Sequence, residues 1–233
     1  MLAIFKREFK AYFSTPIGYI VLAAFYFFLG MYFYMIYGYG VPAVHQCIMA
    51  MSTVAIFTMP ILTMRLMSED RRQKVDQALL TAPVKITSVI LGKFFAAFAV
   101  YALAFLPTVI FEIIVASYVS VNILTYLYAL LGAMLLGGAL IAIGMFISSL
   151  TESSVLSAIL TLVINILVLY MSNFAEMINV SWLSSLMEKA AFVTAFERFG
   201  ENVFSVVDVL YFLSIIVAFV FLSVRSLEKR RWS

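Results

Sequence analysis

His45 and Cys47 are the only imidazole and the only thiol in a chain of 233 residues. Nucleophilic catalysis needs a nucleophile held beside a base, and a zinc-type site needs several clustered ligands. One histidine and one cysteine can build neither. His45 lies in a short Gly/Pro loop and is expected to be solvated. No glycine-rich phosphate loop of the P-loop type occurs, so the chain is not expected to hydrolyse ATP itself. Any energy it uses must arrive from another subunit. What remains for chemistry is charge and hydrogen bonding, concentrated in the stretch Ser68–Lys93, SEDRRQKVDQALLTAPVKITSVILGK. This stretch holds Glu69, Asp70, Arg71, Arg72, Lys74, Asp76, Lys85 and Lys93, with Arg65 just before it.

Ser68 is a suitable N-cap, and Glu69 and Asp70 in a first turn suit the positive end of a helix dipole. A helix of about three turns through Leu80 would gather Val75, Ala78 and Leu79 on one face before Pro83 stops it. The expected product is a short helix with a small apolar knob and a charged rim, shaped for a groove on a soluble partner. The competing reading is a solvated loop that carries charge and nothing more. Two further polar residues stand alone in apolar segments. Glu112 is a functional candidate because a carboxylate is costly in hydrocarbon; alternatively it sits near enough to the interface to reach water or a neighbouring helix. One carboxylate does not make an ion-coupled carrier. Asn165 is expected to bond between helices, a structural role.

The elements that position these residues are membrane elements. The chain is 65% hydrophobic, has a mean hydropathy of +1.09 and is only 12% charged, where a soluble domain carries about twice that charge. A formal charge of +3 is too small to imply nucleic-acid binding. Residues 1–15 place Leu2, Phe5, Phe9, Tyr12 and Phe13 on one helical face and Lys6, Arg7 and Lys10 on the other. This predicts an interfacial helix with its aromatic face in lipid, the alternative being an ordinary cationic flank of the first span. Spans are expected at about 17–37, 46–64, 94–117, 122–148, 155–171 and 206–224, each close to the length a bilayer core of about 30 Å requires. The first is read as a retained span rather than a cleaved signal. Ala133, Gly137, Gly138, Ala142 and Gly144 in the fourth permit close helix contact. Residues 172–205, with Trp182, Leu186, Met187 and Val193 in an apolar stripe, are expected to form short helices in the outer leaflet. With both termini in the cytoplasm, thirteen Lys and Arg lie inside and two, Lys189 and Arg198, outside. The expectation is a single all-α transmembrane domain over 1–233, in the plasma membrane, with six spans.

The sequence also resembles a known family, the permease subunits of type-2 ABC transporters, and within it the gliding-motility-associated group. The residues that carry the resemblance are Arg7-Glu8 with Phe13–Tyr19, then Pro60–Arg65 running into Ser68–Pro83. Phe196–Phe199, Asp208–Ser214 and Leu227–Trp232 complete it near the end. The resemblance implies a permease that pairs with a second copy or paralogue and with ABC ATPase subunits. Those subunits would bind the ATP and magnesium, leaving this chain with no cofactor. Glu69–Leu80 would be the coupling helix, residues 1–15 the connecting helix, and the Leu150–Ser154 turn a smaller ATPase contact. Asn202 departs from the pattern, where related sequences often carry glycine. The implied function is ATP-driven export; the rival class is an ATPase-anchored mechanical or regulatory membrane protein that moves no solute. An intramembrane enzyme lacks the residues it would need.

Overall fold

The computed structural model describes residues 1–38, 40, 43–73, 85–171, 192–201 and 204–231. Among them there is no strand. The helices are α1 (Leu2–Ser14), α2 (Pro16–Gly38), α3 (Val44–Thr63), α4 (Ser68–Arg72), α5 (Ile86–Ala104), α6 (Leu106–Ala116), α7 (Ile123–Leu150), α8 (Ser154–Leu169), α9 (Phe192–Gly200) and α10 (Val206–Arg231). Five helical stretches, 16–38, 44–72, 86–116, 123–150 and 206–229, are long and apolar enough to cross a membrane. The segment expected as a fifth span is α8, apolar but only 16 residues, or about 24 Å at 1.5 Å per residue.

The long helix α7 runs through the centre and packs against α3, α5, α8, α9 and α10. Its small residues explain why it can. Ala133, Gly137, Gly138, Ala142 and Gly144 are all buried, and the Tyr101 ring of α5 lies where a side chain on Gly137 would go. The Tyr101 hydroxyl then donates to the Ala133 carbonyl at 2.9 Å. Asn122 starts α7 by accepting the Leu124 N–H on its side-chain oxygen, and Ser153 starts α8 by accepting from Leu156.

The expected third span is two helices broken at Phe105. Pro107 cannot donate to the Leu103 carbonyl, and the Tyr26 hydroxyl of α2 supplies that bond at 3.1 Å. The start of this span also differs from the expected Phe94, because α5 begins at Ile86 and takes Lys93 into the helix. Ser68 is not a cap. Met67 occupies that position, and the Ser68 hydroxyl turns back to the Met64 carbonyl. Helix α1 forms where expected, with Phe5, Phe9 and Phe13 in a ladder of rings. That ladder is half-buried against the bundle, and Tyr12 is buried with its hydroxyl on the Leu62 carbonyl. Gly92 lets α1 approach α5, since a Cβ there would lie 2.9 Å from Ile4 Cγ2.

Candidate functional site

The charged residues of α4 sit where α1, α5 and the turn between α7 and α8 come together. Lys93 reaches out of the apolar face of α5 with its side chain 2% exposed. Its ammonium lies 2.8 Å from Asp70 Oδ2 on α4 and 3.2 Å from Glu8 Oε1 on α1. A buried ammonium needs opposite charge to be tolerated, and here two carboxylates from two separate helices provide it. Glu8 is also held by the Arg7 guanidinium, which donates from Nε at 3.1 Å. That bond stabilises the charged form of Arg7 and pushes its pKa up from the ordinary value.

The other face of α4 holds the turn between α7 and α8. Arg71 Nε pairs with Glu152 Oε1 at 2.8 Å, and its Nη1 donates to the Leu150 carbonyl at 2.9 Å. Beside them Ser148 Oγ accepts the Met67 and Ser68 N–H groups, each at 3.1 Å, and donates to the Met64 carbonyl. Ser68 Oγ completes the contact at 3.2 Å from Ser154 Oγ. Glu69 is fixed within its own segment by Arg65 at 2.7 Å and by Gln73 at 3.2 Å. Arg72 is exposed. A cleft of about 340 Å³ opens here, lined by Arg7, Glu8, Arg65, Glu69, Asp70 and Lys93 above Tyr12. Burial raises the Tyr12 pKa, so its phenol stays neutral and serves as a donor.

Of the residues expected to form the coupling segment, the structure brings Glu69, Asp70, Arg71 and Arg72 together on α4. Val75, Asp76 and Leu79, with Lys74, Ala78, Leu80 and Pro83, lie outside the described residues, as do Trp182, Leu186, Met187, Lys189 and Asn202. Glu112 is half-buried on α6, beyond the Phe105 break, and belongs to no part of this network. Asn165 is fully buried on α8 and also stands apart from it. The sequence reading did not select Glu8, Lys93, Ser148 or Glu152 as site residues. Lys93 carried a signal: it is a lone cation with apolar residues on both sides, in Val-Ile-Leu-Gly-Lys-Phe-Phe.

A profile described as "ABC-2 family transporter protein" matches residues 8–168. The chain belongs to the ABC-2 transporter family. The match begins at Glu8 and takes in α4, Lys93 and the Leu150–Ser154 turn, so every member of the network except Arg7 falls inside the family region. No curated protein matches the chain. ABC-2 membrane proteins are permease components and not ATPases themselves. With its long apolar helices, this ABC-2 protein is a multi-pass membrane protein.

Proposed function

We propose that this chain is the permease half of an ATP-driven exporter, moved by a separate ABC ATPase that presses on the segment beginning at α4. The supporting observation is the double attachment of α4. Asp70 ties it through Lys93 to α1 and α5, while Arg71 and Ser68 tie it to the turn and first residue of α8. A push on α4 would reach four helices through charge pairs and hydrogen bonds, without passing through deformable apolar contacts. In this reading Val75, Asp76 and Leu79 extend the contact surface, and ATP and magnesium belong to the partner.

The same reading assigns six spans, with α8 as the fifth and residues 172–205 on the outer side. The termini and α4 lie in the cytoplasm, which the thirteen-to-two distribution of Lys and Arg supports. α1 lies at the cytoplasmic membrane surface. A second permease copy or a paralogue completes the path.

Purification from the native host in mild detergent tests this directly. An ABC ATPase should co-purify in stoichiometric amount, and Arg72→Glu should lose it while insertion is unchanged. Arg72 is chosen because it is exposed, so charge reversal there does not disturb the packed network. A well-folded wild-type preparation without an ATPase would overturn the reading.

A further inference from the structure

Among the described residues, four buried polar side-chain atoms have no hydrogen-bond partner in the protein: Ser157 Oγ, Thr161 Oγ1 and both amide atoms of Asn165. The three residues are fully buried on α8. They recur at every fourth position, which places them in one row on one face. The row starts beside the hydroxyl cluster of Ser68, Ser148 and Ser154. Further along, a Cβ on Gly144 would strike Thr63 Oγ1 and lie 3.1 Å from Thr161 Cγ2, so α3, α7 and α8 meet there without spare volume. The register set by these contacts brings Asn165 level with the Ile56–Pro60 turn of α3. Pro60 has no N–H, so the Ile56 carbonyl has lost its helical donor at the same height. From Ser154 to Asn165 the row runs about 16 Å along the helix.

Buried polar groups are ordinarily satisfied, and hydrocarbon offers them nothing. The opposite face of α8, with Leu156, Ile159 and Val163, is exposed and apolar. A polar row turned inward, without a protein partner among the described residues, is expected of a surface that meets water in another conformation. We propose that the seam between α8 and the α3–α7 pair is a closed polar path inside one subunit, which opens from the α4 end to neutral hydrogen-bonding ligands, water first. The row bears no charge, so it suits hydroxyl and amide groups rather than ions. That α4 parts the seam rests on the coupling reading above; the path itself does not.

The test is cysteine accessibility in the full chain, in inside-out membrane vesicles that retain its partners, on a Cys47→Ala background. The probe is a neutral, hydroxyethyl-bearing methanethiosulfonate, which reacts only with thiols that water reaches and can ionise. Lys229→Cys serves as the exposed reference and Val163→Cys, on the apolar outer face of α8, as the non-polar one. With an open state populated at ~0.1–10%, Ser157→Cys, Thr161→Cys and Asn165→Cys should label roughly 10- to 1000-fold slower than Lys229→Cys, yet to completion. Val163→Cys should not label. Row cysteines as inert as Val163→Cys, with and without ATP and vanadate, would overturn the proposal. Labelling that ignores nucleotide would uphold the path and refute gating by α4. A second measurement guards against misfolded variants. Asn165→Leu should shift SDS unfolding to a higher midpoint, because it removes an unpartnered amide from the closed seam. A lower midpoint would mean that Asn165 holds two helices together, and the path would be refuted.

Discussion

Lys93→Met isolates the electrostatics of the joint between α1, α4 and α5. Methionine keeps most of the length and packing of the lysine stem while removing its charge. In the native protein the ammonium stands 2.8 Å from Asp70 and 3.2 Å from Glu8, whose side chains are 19% and 15% exposed. Removing one partner of a buried pair costs about 3–5 kcal/mol, chiefly because the other charge is left uncompensated. Glu8 keeps Arg7 and both carboxylates keep some solvent contact, which lowers the cost. Two carboxylates facing each other without the lysine raise it. The balance is about 3 kcal/mol, or roughly a hundredfold in the ratio of folded to unfolded protein at about 1.4 kcal/mol per decade. SDS titration in mixed micelles, followed by far-UV circular dichroism, reads this as a lower midpoint. The control is Lys93→Met combined with Glu8→Gln and Asp70→Asn, which removes the orphaned charges and should recover most of the loss. If Lys93→Met alone stays within about 0.5 kcal/mol of wild type, the ammonium reaches water and the buried joint is refuted.

Two other substitutions test the packing that holds this joint in place. Gly137→Ala puts a methyl into the Tyr101 ring and should cost about 1–3 kcal/mol, whereas Gly30→Ala, with nothing within 4 Å of its Cβ, should be neutral or better. Arg198→Ala strips the nearly buried Asp208 of the guanidinium that donates to both its oxygens and ties α9 to α10. With Arg198 itself 46% exposed, water can replace part of the loss. The expected cost is about 2–3 kcal/mol, again from the SDS midpoint.

What the sequence made legible follows from how local each cause is. The glycines and alanines of α7 announce close packing because small side chains leave a groove whatever fills it. The cluster at Glu69–Arg72 is legible because charge cannot enter hydrocarbon unpaired. The pairing of those charges was not legible. Lys93 meets Glu8 across 85 positions of sequence and Asp70 across 23, and both contacts depend on how α1 and α4 pack against α5. Hydropathy placed Lys93 in the loop because a lone lysine ends an apolar run by composition, while its carboxylate partners let the helix continue past it. Pro107 is visible in the sequence only as a missing backbone donor, and the packed structure shows Tyr26 supplying the bond it cannot make. Asn165 read as glue between helices; its amide atoms are buried without a bond, an absence no pattern of residue types encodes.

The two polar features of the bundle differ in stiffness, and that difference gives them separate roles. At the α4 joint Asp70, Lys93, Glu8, Arg71 and Glu152 each have a partner within 3.2 Å, so displacing α4 means breaking charge-assisted bonds, one set of them around the buried Lys93 ammonium. Beyond Ser154 the α8 seam has no such bonds to break: Ser157, Thr161 and Asn165 have no protein partner among the described residues, and opening the seam would bring them to water. A force applied at α4 would therefore move α1, α5 and the α7–α8 turn together with it. It would yield first where separation is partly repaid, along α8. Under this reasoning the joint and the seam must be separable by mutation. Asn165→Leu should slow opening while leaving ATPase binding intact. Lys93→Met should leave the seam's labelling in place but remove its response to nucleotide. If Lys93→Met instead abolished labelling altogether, the joint would be holding the seam in shape and not merely driving it, and the division of roles would fail.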